Sequence, residues 1–227
     1  MKKNKSPKVL VVGIVNPANE YCSQFFKKFY NKLKYRNKLA VFIDDDSYPQ
    51  LRAIPSGEER EATRREIAIQ YSFKKKADFI LFMDCRIEPE NDTIEKLLSY
   101  KKPVVGALTC FHNDSYFADV FNYKKSKFIS RKWLKQKDFY SCLTVDFVSS
   151  KLLLIAKSIF DRVNFTEYKG FHNSPNAYQS VDEWLISEIE KRFKIKPLIA
   201  SDCRPWFYHY DGFAYKLFGH NKVWKNI

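Results

Sequence analysis

The sequence predicts an α/β fold with a mostly parallel central sheet flanked by helices. Short, continuous apolar runs alternate along the chain with segments in which apolar residues recur at helical spacing. The runs show no alternation of apolar and polar residues, which is typical of strands that are buried on both faces. The chain has 227 residues and contains no linker rich in Pro, Gly or Ser, so we predict a single domain.

The first half of the chain supplies alternating strands and helices. Its predicted elements, in order, are a strand over 8–15, a helix over about 20–35, a strand over 39–43, a helix over about 58–75, a strand over 78–83, a helix over 93–100 and a strand over 103–108. Strands that alternate with helices in this way form a largely parallel sheet with right-handed crossovers. The carboxyl ends of these strands therefore meet at one edge of the sheet.

Candidate ligand groups stand where the first three strands end. They are Asn16 after the first strand, Asp44 and Asp45 after the second, and Asp84 with Arg86 after the third. Open α/β sheets bind ligands at this position. An aspartate there also serves as a simple polar cap of a strand, so the position alone leaves both interpretations open.

The second half of the chain is less regular. Its predicted elements are irregular structure with short strands over 111–142, strands over 144–148 and 151–155 that are either separate or one bent strand, a short helix over 156–163, a helix from about 180 and a strand over 197–200. The helix near 180 opens with Asp182 and Glu183, and acids at a helix start also serve as caps and first-turn charges. The last residues, 213–227, mix aromatic residues with Lys and contain no acid.

The composition indicates a basic protein. Lys and Arg number 40 against 26 Asp and Glu, and the resulting formal charge of +14 favours either an anionic partner or a lysine-coated surface. The basic residues are dispersed on or beside predicted helices, which disfavours a dedicated nucleic-acid arm. There is no apolar run of about 18 residues and no signal-peptide cleavage pattern, so we expect a cytoplasmic protein, at most peripheral to a membrane.

The five cysteines stand far apart along the chain. They form no C-x-x-C pair, which argues against a structural zinc site or a disulfide framework. We therefore expect reduced thiols.

Four segments resemble, in order and spacing, motifs of the GT-A class of nucleotide-sugar glycosyltransferases, closest to its broad family-2-like group. They are VFIDDDS, ATRREIAIQYSFKKKADFILFMD, VSSKLLLIAKSIFDRVNF, and SVDEW followed downstream by FYHYDG. Each motif is short, and the resemblance covers roughly residues 8–212. It implies a GT-A-like fold with a nucleotide-sugar-binding half over 8–110, an acceptor and catalytic half over 111–212, and a tail over 213–227.

The resemblance also implies roles for the polar residues. Nucleotide-sugar-binding roles fall on Asn16, Asp44, Asp45, Arg65, Asp84 and Arg86, with Arg64 as an alternative to Arg65. Asp182 or Glu183 is the implied general base, which takes the proton of an acceptor hydroxyl as this hydroxyl attacks the sugar. Of these two acids we favour Asp182.

The metal-binding motif of the family is altered here. In its D-x-D pattern, two carboxylates on one face of an extended segment hold a divalent metal ion that neutralises the diphosphate leaving group. The corresponding segment is Asp84-Cys85-Arg86, so a cation replaces the second acid. Either Asp84 holds Mn²⁺ or Mg²⁺ with help from His209 or Glu88, or Arg86 contacts the diphosphate directly. A third alternative is an Asp84–Arg86 ion pair without chemistry. Of the three we favour the first, a divalent metal ion that Asp84 and His209 help to place.

The expected function is sugar transfer from a nucleotide-sugar donor to a hydroxyl of a glycan, a lipid-linked or a protein acceptor. The tail over 213–227 either rests on an anionic membrane or packs on the domain. Two other functions stay open, a basic nucleic-acid-binding protein and a nucleotidyltransferase on a related sheet. Acids at two consecutive strand ends disfavour the first, and residues 13–21 lack the Gly- and Lys-rich phosphate loop typical of the second.

Overall fold

The computed structural model of the chain describes residues 6–14, 22–54, 57–109, 117–123, 131–135, 139, 142–168, 180–208, 213–218 and 221–226. The elements up to residue 107 are β1 (Val9–Ile14), α1 (Cys22–Lys32), β2 (Lys38–Ile43), α2 (Gly57–Lys74), β3 (Phe79–Asp84), β4 (Ile87–Glu88), α3 (Thr93–Ser99) and β5 (Val104–Ala107). The later elements are β6 (Phe117–Tyr123), β7 (Arg131–Lys135), β8 (Leu143–Thr144), β9 (Phe147–Val148), β10 (Leu152–Ala156), α4 (Lys157–Phe160), α5 (Val181–Phe193), β11 (Leu198–Ala200), β12 (Trp206–Tyr208), β13 (Phe213–Phe218) and β14 (Asn221–Asn226).

The central sheet has seven strands in the order β2-β1-β3-β10-β5-β11-β8. β1, β2, β3, β5 and β11 run parallel, whereas β10 and β8 run antiparallel to their neighbours. The prediction of a mostly parallel sheet is therefore confirmed for the described residues. β10 lies between β3 and β5, so a strand from the second half of the chain separates two strands of the first half.

Helices cover both faces of this sheet. Successive strand residues point to opposite faces, so Leu10 and Phe82 join one apolar cluster while Val11 and Met83 join the other. α2 and α5 pack on the first face, and α1 and α3 pack on the second. This burial on both sides explains why the strands are continuous apolar runs. Within the described ranges, no helix has the length and apolar character that a bilayer span requires.

Two smaller sheets, with strand orders β14-β13-β12-β4 and β7-β6-β9, lie beside the central one. The single strand predicted over 144–148 is wrong, because β8 pairs with β11 in the central sheet while β9 pairs with β6. The described part of the tail over 213–227 is a β13–β14 hairpin that pairs with β12. The tail thus packs on the domain, which is the second of the two predicted alternatives.

One pair of cysteines corrects the expectation of reduced thiols. Cys22, the first residue of α1, and Cys85, directly after β3, form a disulfide with their Cα atoms 5.3 Å apart. This Cα separation is within the usual range for a disulfide. Cys142 and Cys203 are free. The contact could not be inferred from spacing because the partners are 63 residues apart and meet only when β1 and β3 become neighbours.

Candidate active site

The described acids that the sequence analysis singled out lie at the carboxyl edge of the parallel strands or beside it. Ile14, the last residue of β1, lies beside Ile43 of β2 and beside Asp84 of β3. The turn that follows β2 and the segment that follows β3 therefore start on either side of the end of β1, at the edge where α/β sheets bind ligands. Asn16 and His209 lie outside the described residues, so their roles stay predictions.

Asp84 and Arg86 form an ion pair with each other. The Asp84 carboxylate accepts hydrogen bonds from the Arg86 backbone amide at 2.8 Å, from its Nε at 3.1 Å and from its Nη2 at 2.8 Å. Both carboxylate oxygens are engaged in this way. The Arg86 guanidinium also lies over the ring of Phe207, 5.1 Å from the ring centroid. A metal ion at Asp84 would have to displace this guanidinium.

The predicted helper of Asp84, Glu88, is held by a different set of groups. Lys32 Nζ, Tyr208 OH and Lys225 Nζ all donate hydrogen bonds to its carboxylate. Burial would raise the pKa of Glu88, but these hydrogen bonds outweigh burial and lower the pKa to about 2. Among the described residues, no three His, Cys, Asp or Glu side chains are grouped to hold a metal ion.

Asp182 lies in the first turn of α5 without capping it. Ser180 is the cap, and its hydroxyl accepts a hydrogen bond from the Glu183 amide at 3.2 Å. Asp182 Oδ2 accepts from the Ser150 amide at 2.9 Å, and Oδ1 lies 2.5 Å from Nη2 of Arg65. The Asp182 side chain is 20% exposed, whereas Glu183 is 5% exposed. Of the two acids, Asp182 is the one that is partly exposed to solvent.

Arg65 of α2 is a buried cation beside Asp182. Its side chain is 4% exposed, and its Nη2 lies 3.0 Å from Glu61 Oε1 and 2.7 Å from Ser150 Oγ. Burial would lower the pKa of Arg65, but the carboxylates of Asp182 and Glu61 outweigh burial and raise it. The charged guanidinium therefore compensates the charge of the candidate base.

A second buried ion pair stands at the end of β2. Asp45 is 8% exposed, and its carboxylate lies 2.6 Å from Arg64 Nη2 and 3.2 Å from Arg60 Nη1. Asp44 instead accepts a hydrogen bond from the Ser47 amide at 2.6 Å and so shapes the turn. The structure thus separates the two neighbouring acids, with Asp45 directed toward α2 and Asp44 toward its own turn.

A cavity of about 350 Å³ opens between the starts of α2 and α5. Its charged lining residues are Glu58, Arg60, Glu61, Arg64, Arg65 and Asp182. Arg64 Nε and Arg65 Nη1 are buried and have no hydrogen-bond partner in the part of the chain that the structure describes. A buried donor left unpaired costs about 1–3 kcal/mol, so a ligand oxygen that reaches either group is favoured.

Three residues that the sequence analysis did not single out complete this edge. Ser150 and Lys151 precede β10, and the Lys151 carbonyl accepts a hydrogen bond from the Asp84 amide at 2.8 Å. Lys151 Nζ lies 2.8 Å from Oδ2 of Asp119, which is 6% exposed. An isolated acid within the apolar segment FADVF was the available signal for Asp119. Ser150 gave no signal, because its importance arises only from contacts with α2 and α5.

Comparisons with known proteins show the fold. No family model and no curated relative matches the sequence. A197 from STIV is 12% identical and aligns over 97% of this chain and 95% of its own, with a TM-score of 0.52. This likeness shows a shared fold.

Two transferases align less closely. A glycosyltransferase involved in the glycosylation of the major capsid of PBCV-1 is 9% identical over 85% of this chain and 81% of its own, with a TM-score of 0.44. Mannose-1-phosphate geranyltransferase from Thermus thermophilus is 9% identical over 85% of this chain and 72% of its own, with a TM-score of 0.39. At these TM-scores, neither likeness carries an argument about activity.

Proposed function

We propose that the chain is a GT-A-like glycosyltransferase that moves a sugar from a nucleotide-sugar donor to a hydroxyl acceptor. One observation carries the proposal, namely that Asp84 and Asp182 are bonded to two consecutive residues. The Asp84 amide donates to the Lys151 carbonyl at 2.8 Å, and the Asp182 carboxylate accepts from the Ser150 amide at 2.9 Å. One short segment, Ser150 and Lys151, thus fixes both the strand end proposed to bind the donor and the acid proposed to act on the acceptor. Sugar transfer requires that donor and acceptor are held in a fixed position relative to each other.

On the donor side, Arg86 and Lys151 are proposed to bind the diphosphate. Both cations lie beside the same ring, with Arg86 at 5.1 Å and Lys151 at 4.7 Å from the centroid of Phe207. Negative charge grows on the diphosphate as its bond to the sugar breaks, and positioned cations stabilise this charge. A guanidinium can contact two oxygens of one anion at once, and the diphosphate is proposed to compete with Asp84 for the guanidinium of Arg86. The turn at Asp44 and Asp45 is proposed to contact the nucleoside.

The predicted Mn²⁺ or Mg²⁺ ion does not fit the donor set of the described residues. Both oxygens of Asp84 bond to Arg86, and Glu88 bonds to Lys225 and to two further donors. We therefore assign the neutralising charge to Arg86 and Lys151, and we expect a chelator to leave activity unchanged. Activity that is lost in EDTA and restored by Mn²⁺ would favour the alternative in which Asp84 and His209 hold a metal ion.

On the acceptor side, Asp182 is proposed as the general base of an inverting transfer. The acceptor hydroxyl attacks the anomeric carbon from the face opposite the diphosphate, its proton passes to the Asp182 carboxylate, and the bond to the diphosphate breaks. Asp182 lines the 350 Å³ cavity, and this cavity is proposed to admit the acceptor. Arg65, at 2.5 Å, holds the carboxylate in position through this cycle.

Two measurements test the proposal. The first is a thermal-shift panel of nucleotide sugars, with and without Mn²⁺, in which at least one donor should stabilise the wild-type protein. Stabilisation by oligonucleotides alone would instead support the nucleic-acid-binding alternative.

The second measurement compares Asp182→Asn with the wild type. The variant should lose transfer by about 10²- to 10⁴-fold, because it removes the base, while it keeps the donor-induced thermal shift. Asp161→Asn, an exposed aspartate after α4, is the matched control and should retain full activity. Full transfer activity in Asp182→Asn would remove the assignment of the base.

A further inference from the structure

Seven lysines lie at the edge of the sheet opposite the candidate active site, where β1, β3 and β5 begin and β10 ends. Backbone hydrogen bonds bring the segments together, from Asp78 N to Lys8 O at 2.8 Å, from Lys157 N to Asp78 O at 2.9 Å and from Ala156 N to Pro103 O at 2.8 Å. We call this set the lysine edge, and its members are Lys8, Lys74, Lys75, Lys76, Lys101, Lys102 and Lys157. The central sheet is parallel at these strands, so the lysine edge faces away from Asp84.

The lysine edge carries charge that the described residues do not neutralise. None of its seven lysines forms an ion pair within the described ranges, and Lys8 Nζ donates to a backbone carbonyl, that of Lys75, at 3.1 Å. Near the other edge, Lys151, Lys216 and Lys225 each pair with an acid. The lysine edge is therefore a group of seven positive charges without ion pairs among the described residues, at the end of the sheet where the parallel strands begin.

Apolar surface lies directly beside these lysines. A groove of about 720 Å³ has mainly apolar walls, formed by Tyr35, Phe79, Leu98 and Pro103 among others, and one acid, Glu95, lines it together with Lys101 and Lys102. Phe73 is a large hydrophobic side chain that is exposed on the described surface, with 37% of its area accessible to solvent. Lys157 Nζ lies 5.1 Å from the centroid of the Phe73 ring. Cations and exposed apolar groups therefore share one surface.

We propose that the lysine edge docks on an anionic lipid surface. Lysine ammonium groups attract the phosphates of anionic headgroups, and an apolar groove and an exposed aromatic ring beside them suit the acyl boundary below the headgroups. Nucleic acid would satisfy the lysines but would leave the groove without a partner. The proposal places the candidate active site on the side that faces the aqueous phase, and it does not depend on the proposed glycosyltransferase activity.

The described structure also disfavours the tail as the membrane-contacting segment. Lys216 pairs with Glu90 at 2.8 Å and Lys225 pairs with Glu88 at 3.1 Å, so these two tail lysines are held by carboxylates within the fold. The hairpin of β13 and β14 belongs to a sheet with β12. Membrane contact is therefore assigned to the opposite end of the molecule.

Vesicle flotation of the full chain tests the proposal. Wild-type protein should float with vesicles of phosphatidylcholine that contain about 30% phosphatidylglycerol, and it should bind pure phosphatidylcholine much less. Each lysine near an anionic surface contributes about 1 kcal/mol, or roughly fivefold in affinity, so Lys74→Glu with Lys75→Glu should weaken binding at least about 25-fold. The double variant Lys27→Glu with Lys28→Glu, exposed on α1, has the same net charge and should lose less than about fivefold.

Phe73→Ala separates insertion from simple charge attraction, because it should weaken binding to anionic vesicles while the net charge is unchanged. Thermal melts establish that each variant is folded. Failure of the wild type to float with anionic vesicles would overturn the proposal, as would equal losses in the two double variants. An oligonucleotide could instead bind the protein more tightly than the vesicles do and release it from them. If Phe73→Ala bound this oligonucleotide as well as the wild type does, the lysine edge would be a nucleic-acid surface.

Discussion

Replacing Glu88 with Gln tests whether one carboxylate stabilises the contact between the β14-β13-β12-β4 sheet and helix α1. Glu88 belongs to β4, which pairs with β12. Its carboxylate accepts hydrogen bonds from Lys32 of α1, Tyr208 of β12 and Lys225 of β14. Four elements therefore meet at a side chain that is 9% exposed.

The size of the effect follows from the pKa of Glu88. Burial would raise this pKa, but the three hydrogen bonds lower it from 4.5 to about 2. Since one pKa unit corresponds to about 1.4 kcal/mol, the ionised carboxylate contributes up to about 3 kcal/mol to the free energy of unfolding at pH 7. Because the folded pKa is the lower one, this contribution is present above pH 4.5 and is lost as the pH falls toward 2. At pH 3.5 about 2 kcal/mol remains.

Urea unfolding at pH 7, 5 and 3.5 measures this dependence. We expect Glu88→Gln to have a lower free energy of unfolding than the wild type at pH 7. This difference in free energy should shrink by roughly 1 to 1.5 kcal/mol between pH 7 and pH 3.5. Glu95→Gln, at an exposed position of α3, is the control and should lower the free energy of unfolding at pH 7 less than Glu88→Gln does. If the free energies of unfolding of Glu88→Gln and the wild type differed by the same amount at pH 7 and pH 3.5, the proposed role of the ionised Glu88 carboxylate would be refuted.

Two further outcomes concern packing and the cysteine pair. A Cβ at Gly13 would lie 2.6 Å from Phe26 Cδ2, so Gly13→Ala should destabilise the fold by about 1–3 kcal/mol in urea unfolding. Gly57→Ala, with no atom within 4 Å of the added carbon, is its control, and equal losses in both variants would contradict the packing argument. Peptide mapping of the non-reduced protein should find the peptides of Cys22 and Cys85 linked. Because the disulfide spans 63 residues, its reduction should lower the free energy of unfolding by up to about 4 kcal/mol. Unlinked peptides under oxidising conditions would count against this disulfide.

The fold of the first half was predictable because its strands are buried on both faces. β1 is an apolar run and β3 is one up to its last residue, Asp84, and this pattern indicates a strand without knowledge of the neighbouring strands. β4 was missed because two residues, Ile87 and Glu88, become a strand only through pairing with β12, more than a hundred residues later in the chain. The direction of β10 was likewise unpredictable, since an apolar run does not specify whether it pairs parallel or antiparallel.

The places of Asp84 and Asp182 in the fold were predictable because position along a strand or a helix decided them, whereas their roles stay predictions. Asp84 follows an apolar run and Asp182 follows a cap residue, and both patterns are local. The pairing of Arg65 with Asp182 was not predictable, because it joins two helices more than a hundred residues apart in sequence. The contact between Cys22 and Cys85 was not predictable either, because these residues are 63 positions apart and meet only in the folded sheet.

The position of β10 has a consequence for how the chain folds. Leu154 pairs with Leu81 on one side and with Val105 on the other, so β10 joins two strands that are made well before it. Until residue 156 has been synthesised, β3 has one unpaired edge. Both edges of β5 are unpaired until β10 and β11 have been made. Open edges of apolar strands favour pairing between chains, and contacts across long sequence separations form slowly. A fragment that ends near residue 110 would therefore be prone to aggregate.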